Sequence, residues 1–299
     1  MQPGPGLPLA GPSDRHGTLE SALMAATAAL LEAGVPSPRF DALLLVAAVS
    51  RLDKAMVLAH PERSLEASEA ARLAALVARR AAREPLAYVL GWREFYGRRF
   101  AVTPAVLVPR PETELVVELA LEYLRPQPAG ATRAVDVGTG SGALAVTLAA
   151  EWPELRVLAT DCSPAALAVA RANAQRHRVA SRVRCRCTDL LAGTDGTFTL
   201  IVANLPYISS AMIRTLMPEV AQHEPRVALD GGPDGLGPNR RLLAQAGNRL
   251  APGGLLLLEM GADHGEVMRA EATRRFPTAD IAVIPDLAGL DRVLRVQIA

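Results

Sequence analysis

Asn204, Leu205, Pro206 and Tyr207 are the four consecutive residues with the most to offer chemically. They follow the apolar run Ile201, Val202, Ala203 with no Gly or Asp-Gly turn to close it, so a buried strand delivers an amide and an aromatic ring to its own tip. The Asn204 side-chain oxygen and the Leu205 backbone carbonyl can each accept one N–H of a planar NH2 group. Such a nitrogen is a poor nucleophile because its lone pair is delocalised. Held between two acceptors, it aims that lone pair at an electrophile, and its developing positive charge meets oxygens already in place. No strong base is required, because the proton becomes acidic once the new bond has formed. Pro206 stiffens the carbonyl, and Tyr207 can lie flat on an amide or a base. The plainer alternative is a strand-end Asn capping the next turn.

A second constellation names the electrophile. Residues 134–149, AVDVGTGSGALAVTLA, set a strand, a glycine-rich turn and a helix in succession. Gly138, Gly140 and Gly142 permit a tight turn and close ligand approach, and the amides of Thr139 and Ser141 lie at a helix N-terminus. Asp161, closing the next strand in VLATDCSP, can accept from both hydroxyls of a ribose. Nicotinamide dinucleotides and S-adenosyl-L-methionine share this layout. The dinucleotide spacing is G-x-G-x-x-G, with amides facing a pyrophosphate; here it is G-x-G-x-G with Asp136 directly upstream, which suits an ammonium and carboxylate end and favours the methyl donor. The third strand ends in CTDLL, where Asp189 can accept from the adenine amine, or serve as an ordinary strand-end cap, and Leu190 can pack on the adenine face. With the fourth strand beside the first, Asn204 lies across from the sulfonium methyl, where in-line displacement requires the acceptor at roughly 3 Å.

The elements that must position these groups follow from periodicity. Helical runs begin at Thr18, which can cap; at Phe40; and at about Glu66, with Ser64 or Ser68 as possible caps, Leu73, Leu76 and Val77 on one side and arginines on the other. Residues 17–85 are read as a small all-α domain, a lid or docking surface. Residues 86–111 are read as a β-hairpin connector, where Tyr88, Trp92, Phe95, Tyr96 and Phe100 either plug a joint or line a ligand site. From Glu112, strands alternate with helices: 134–137, 157–160, 183–187, 199–203, 255–260, 281–284 and 293–298. This predicts an α/β fold, a seven-stranded Rossmann-like class I S-adenosyl-L-methionine-dependent methyltransferase domain over 112–299. The loop PDLAGLD is too short for a helical crossover, so the last strand runs antiparallel.

Bulk properties narrow the partners. Acids and bases nearly cancel, 31 against 32, for a net charge of +1, so nucleic acid or an anionic membrane would need a local patch. All but one of the basic residues are arginine, the exception being Lys54, which reads as coding bias. Cys162, Cys185 and Cys187 suit neither a disulfide framework nor a metal cage, and no metal is expected. No apolar run approaches ~18 residues, and the Gly/Pro-rich start lacks the features of a signal peptide. The expectation is a cytoplasmic monomer with a disordered segment over 1–16.

The segments GWREFYGRRFAVTPAVLVPRPETELVVELAL, VDVGTGSGALAVTLA, VANLPYI, HEPRVALDGGPDGL and DLAGLDRVL together resemble the protein-glutamine N5-methyltransferases that modify class 1 peptide chain release factors. The resemblance runs from about Thr18 to the C-terminus. It implies a helical domain that helps grip the release factor and, as substrate, the glutamine amide of a Gly-Gly-Gln tip. It also implies cofactor residues at Gly138 to Gly142, Asp161 and Leu190, and a substrate clamp at Asn204 to Tyr207. Two positions depart from the family pattern. Leu205 stands where a first proline is usual, a form shared with dimethyladenosine methyltransferases of ribosomal RNA, and Leu190 stands where an aromatic is usual. The alternatives are an adenine-N6 methyltransferase acting on RNA or DNA, a ribosomal-protein glutamine methyltransferase, and a non-catalytic module docking on the translation machinery.

Overall fold

The structure is a computed structural model that describes residues 17–126 and 132–299. The segment 1–16, expected to be disordered, lies outside the described residues. The chain divides into two compact units at Leu90/Gly91.

The first unit is helical: α1 (Leu19–Glu32), α2 (Pro38–Ser50), α3 (Lys54–Ala59), α4 (Ala67–Ala81) and α5 (Leu86–Leu90). Thr18 caps α1 by accepting from the Ser21 N–H at 3.2 Å. At α4 neither serine caps. Glu66 is the N-cap residue, and its N–H donates to the Glu69 carboxylate at 3.1 Å, the capping-box arrangement of a helix whose first amides need an acceptor. Leu19, Leu30, Leu45, Val46 and Leu73 form the core. The arginines of α4 do not all face outward. Arg80 is buried and donates through Nε to Asp41 at 2.7 Å, with Nη1 on the Glu84 carbonyl at 3.1 Å. Burial of a guanidinium is tolerable only with such full pairing. The expected connector begins as helix, since Pro85 initiates α5 rather than a strand.

The second unit opens with the hairpin β1 (Trp92–Phe95) and β2 (Arg98–Ala101), whose Phe95 and Phe100 are fully buried in that unit's core, ring centroids 6.0 Å apart. There follow α6 (Glu114–Leu124), β3 (Arg133–Val137), α7 (Ala143–Glu151), β4 (Arg156–Asp161), α8 (Pro164–Arg176), β5 (Val183–Cys187), β6 (Phe198–Asn204), α9 (Pro218–His223), α10 (Gly237–Ala246), β7 (Leu250–Glu259), α11 (Gly265–Arg275), β8 (Asp280–Pro285) and β9 (Asp291–Gln297). The seven strands order as β5-β4-β3-β6-β7-β9-β8. Every pair from β5 to β7 is parallel, whereas β9 runs antiparallel to both neighbours, inserted between β7 and β8. β6 lies beside β3, as the fold class requires. Both strands are covered on both faces, which is why they read as continuous apolar runs; each such Val, Leu or Ile buried contributes about 1.5–3 kcal/mol. β7 starts five residues before its expected origin, because Pro252 and Gly253, φ +72°, read as a turn in sequence but sit in an irregular stretch of strand. Among the described residues no helix is long and apolar enough to cross a membrane, and no group of three His, Cys, Asp or Glu is placed to hold a metal ion.

Candidate active site

The carboxyl ends of β3, β4, β5 and β6 surround a cavity of about 270 Å³. Its first wall is the glycine turn after β3. Gly138, Gly140 and Gly142 have φ of +73°, +53° and +82°, values that side-chain-bearing residues rarely adopt. The Gly138 and Thr139 N–H groups both donate to the Thr160 carbonyl at 2.9 Å, which ties the turn to β4. Asp136, 1% exposed, braces the turn from within: its Oδ2 accepts from the Thr139 hydroxyl at 2.6 Å and the Ala145 N–H at 3.1 Å. Burial pushes its carboxyl up to about 7 against the pull of those two bonds. Asp161 stands at the tip of β4, and both its oxygens are oriented by backbone, Oδ2 by the Gly140 N–H at 2.9 Å and Oδ1 by the Ser163 N–H at 2.8 Å. Each oxygen keeps lone-pair capacity for one hydroxyl of a ribose.

The third strand's end is less committed. Asp189 pairs with Arg241, and both side chains are more than half exposed, so a base amine would share that carboxylate with a guanidinium. Leu190 lines the cavity in a left-handed conformation, φ +52°.

The opposite wall is the tip of β6. Asn204 Nδ2 donates to the Thr113 hydroxyl oxygen at 2.9 Å, which leaves Oδ1 as the free acceptor of that amide. Leu205 is buried, with Cδ2 2.7 Å from where a Cβ on Gly138 would be, so the two walls touch through a missing side chain. Beyond the tip the chain is tied down: the Ile208 N–H donates to the Leu229 carbonyl at 3.1 Å, and the Ser210 hydroxyl to Asp230 at 2.5 Å. Asp230 is thereby held below the usual carboxylate range, chiefly by Ser210. Arg110 and buried Glu224 pair at 2.6 Å, joining the LVPRPETE and HEPRVALDGG segments.

Of the residues singled out in the sequence, Asp136, Gly138, Thr139, Gly140, Ser141, Asp161, Asp189, Leu190, Asn204, Leu205 and Pro206 line this one cavity. Gly142 and Tyr207 do not. A Cβ on Gly142 would lie 3.2 Å from Ala170 Cβ, so that glycine lets α7 pack on α8 rather than contacting a ligand. Tyr207 turns its hydroxyl away, onto buried Glu259 at 3.2 Å, and its phenol is raised well above the usual range, mainly by burial. None of Tyr88, Trp92, Phe95, Tyr96 and Phe100 lines the cavity. Thr113 and Glu259 went unassigned in the sequence. The available signal was an acid closing the otherwise apolar strand LLLLE.

Comparison with known proteins agrees with this architecture. The model of the PrmC N-terminal domain matches residues 21–91, and that of the methyltransferase small domain matches residues 114–226. A release factor glutamine methyltransferase of Moorella thermoacetica is 45% identical over 92% of this chain and 96% of its own length. One from Nitratidesulfovibrio vulgaris is 42% identical over 94% and 96%. The chain belongs to the release factor glutamine methyltransferase family. Among solved structures, the hMettl16 catalytic domain in complex with a MAT2A 3'UTR hairpin superposes with a TM-score of 0.54 at 13% identity, over 78% of this chain and 83% of that one, a likeness of fold alone. The cofactor of this release factor glutamine methyltransferase family member is S-adenosyl-L-methionine, and the residues present fit it. Asp161 is a carboxylate whose two oxygens are oriented by backbone and keep capacity for hydroxyl donors, and the cavity closes against bare backbone at Gly138 and Gly140.

Proposed function

We propose that this chain transfers a methyl group from S-adenosyl-L-methionine to the side-chain amide nitrogen, N5, of the glutamine in the Gly-Gly-Gln motif of class 1 peptide chain release factors. The observation that carries the reading is the orientation of Asn204. Its Nδ2 is consumed by Thr113, so the amide presents an acceptor to the cavity shared with the glycine turn. An acceptor there, with the Leu205 carbonyl beside it, selects a planar NH2 donor. The bound cofactor supplies an electrophilic methyl on a sulfonium centre. The residues of the chain do the rest. Asp161 and the Gly138–Ser141 turn hold the cofactor, Asn204 and the Leu205 carbonyl hold the two N–H bonds of the glutamine amide, and those oxygens face the positive charge that grows on nitrogen. Pro206 keeps the carbonyl rigid, and Tyr207, anchored on Glu259, braces the tip.

In this reading the helical unit recognises the release factor, an assignment supported by the exposed apolar side chains of Met24, Leu31, Phe40, Met56 and Leu58. The protein acts in the cytoplasm as a monomer on a protein substrate, without contacting nucleic acid directly. The test is incubation of the purified chain with labelled S-adenosyl-L-methionine and either a class 1 release factor or ribosomal RNA, followed by mass spectrometry. Label on the Gly-Gly-Gln glutamine is expected. Label on an adenine, or on a ribosomal protein alone, would overturn the assignment.

A further inference from the structure

Asn173, on α8, is 0% exposed, and every hydrogen bond it makes is to backbone. Its Oδ1 accepts from the Ala101 N–H at 2.8 Å. Its Nδ2 donates to the Ala101 carbonyl at 3.0 Å and to the Ser141 carbonyl at 2.8 Å. A backbone N–H only donates and a carbonyl only accepts, so this amide has a single orientation. One acceptor and two donors on a short side chain are what asparagine offers. The residue therefore ties together two stretches that lie far apart in the chain, the outer edge of β2 and the glycine turn of the cavity.

The rest of α8 is fitted to the same two stretches. Ala170, Asn173 and His177, spaced by three and four, share one helix face. Ala170 Cβ lies 3.2 Å from where a Cβ on Gly142 would be, and His177 Nε2 donates to the Arg99 carbonyl at 2.9 Å. The His177 ring sits 5.0 Å from that of the buried Phe100. Backbone groups on the free edge of β2, which a third strand would otherwise take, are thus consumed by a helix.

The consequence falls on Ser141. It is 3% exposed, it lines the cavity, and its N–H has no partner among the described residues. A buried N–H left unpaired is costly, so this one is a donor kept for a ligand. Its direction is set by the peptide planes on either side. The plane before it is pinned where the Gly140 N–H meets Asp161 Oδ2 at 2.9 Å. The plane after it is pinned at both ends, by Asn173 on the Ser141 oxygen and by the Gly142 N–H on the Thr139 carbonyl at 2.8 Å.

We propose that Asn173 is a positioning residue for the cofactor: by holding the Ser141 carbonyl against β2, it aims the Ser141 N–H into the cavity as a donor for an oxygen of S-adenosyl-L-methionine. The proposal rests on the reading that the Gly138–Ser141 turn receives the cofactor. Asn173 does not itself line the cavity, and neither does any residue of the β1–β2 hairpin. The hairpin nevertheless acquires a role, as the fixed edge against which the turn is set.

The substitutions that test this are Asn173→Asp and Asn173→Ala, studied in the full chain at pH 8. Asp keeps an acceptor for the Ala101 N–H but sets an oxygen against two carbonyls; Ala removes all three bonds. Three quantities are read: S-adenosyl-L-methionine affinity by calorimetry, the 15N–1H shift of the Ser141 amide as that cofactor is added, and kcat on a release factor at saturating cofactor. Affinity should fall roughly 30-fold in N173D and about 10-fold in N173A. In both, the Ser141 shift response should shrink at least ~2-fold while kcat stays within about 3-fold of the wild type. A folded N173A that binds the cofactor within about 2-fold of the wild type and keeps the Ser141 response overturns the proposal, and N173A decides the matter should N173D fail to fold. So does a kcat that falls by the same factor as affinity, since that marks general support of the fold, or a wild-type Ser141 amide that does not respond to the cofactor. The two binding measurements need no release factor. Binding that behaves as expected in a chain that methylates no glutamine would sustain the role of Asn173 and sink the proposed function.

Discussion

The two walls of the cavity are built on different physical terms. The wall proposed to hold the cofactor is local and made of backbone: Gly138 and Thr139 N–H groups on Thr160, Gly140 and Ser163 N–H groups on Asp161, all within a few tens of residues of one another. The wall proposed to hold the acceptor is non-local and made of side chains. Asn204, Thr113, Glu259 and Tyr207 come from three distant segments and meet only because β6 pairs with β7 and α6 begins above them. Backbone amides have one donor sense and cannot be misoriented once the turn forms. Side-chain hydroxyls and amides can point either way, and the buried Glu259 carboxylate beneath the tip is an interior charge that costs stability.

If this division is right, damage to the acceptor wall should appear in turnover and damage to the cofactor wall in affinity. The largest effect is expected for Asn204→Ala, which should cut kcat about 100-fold, the scale of losing one preorganised polar group. Cofactor affinity by calorimetry should stay nearly constant; an equal loss of both would merge the two walls into one structural unit. Next comes Asp161→Ala, which removes hydrogen bonds to a charged acceptor worth about 1.5–3 kcal/mol. It should weaken S-adenosyl-L-methionine some 10- to 100-fold with a much smaller change in kcat at saturating cofactor. An unaltered dissociation constant would remove Asp161 from the ribose position.

The same division explains what could be read from the sequence. The glycine turn, Asp161 and the antiparallel β9 follow from spacing alone, because they are consequences of local backbone geometry and loop length. The tip of β6 was legible as unusual chemistry, since Asn, Pro and Tyr have no reason to close an ordinary strand. Thr113 and Glu259 could not be joined to it, because their meeting depends on strand order and register. Tyr207, read in sequence as a flat surface for an amide or a base, turns its hydroxyl onto a buried carboxylate 52 residues away, a contact that sequence spacing does not reveal. The outward face expected for Arg80 failed similarly, because its partner Asp41 lies on another helix.

The cost of the interior charge gives a third expectation. Burial pushes Asp136 and Glu259 each up to about 7, above the usual ~4 of carboxyls in an unfolded chain. Between those values the folded chain binds protons that the unfolded chain does not, so stability falls as pH rises through this window and levels off above about 7. Each group contributes on the order of 3 kcal/mol to that fall. Asp230, Asp234 and Asp286 are held low and act in the opposite sense, their contribution disappearing only as pH drops below the ordinary carboxylate range. Around Glu259 the facing groups are Thr113, Tyr207, Arg292 and Glu112, of which only Glu112 shares its charge sign. Urea unfolding between pH 5 and 8 should therefore show a shallower decline in E259Q than in the wild type. Parallel curves would mean that Glu259 is not the charge being paid for.

The smallest effect is expected where the cofactor wall departs from its own rule. Asp189 is the one proposed cofactor contact that depends on an exposed side chain, and Arg241 already occupies it. An ion pair with both partners more than half exposed is worth about 0.2–1 kcal/mol after screening. Asp189→Ala should thus change stability by less than ~1 kcal/mol and cofactor affinity by no more than about 5-fold, far below the loss at Asp161. A loss as large as that of Asp161→Ala would show the wall to be held by side chains on its adenine side as well, and the contrast with the Asn204 tip would narrow to the glycine turn alone.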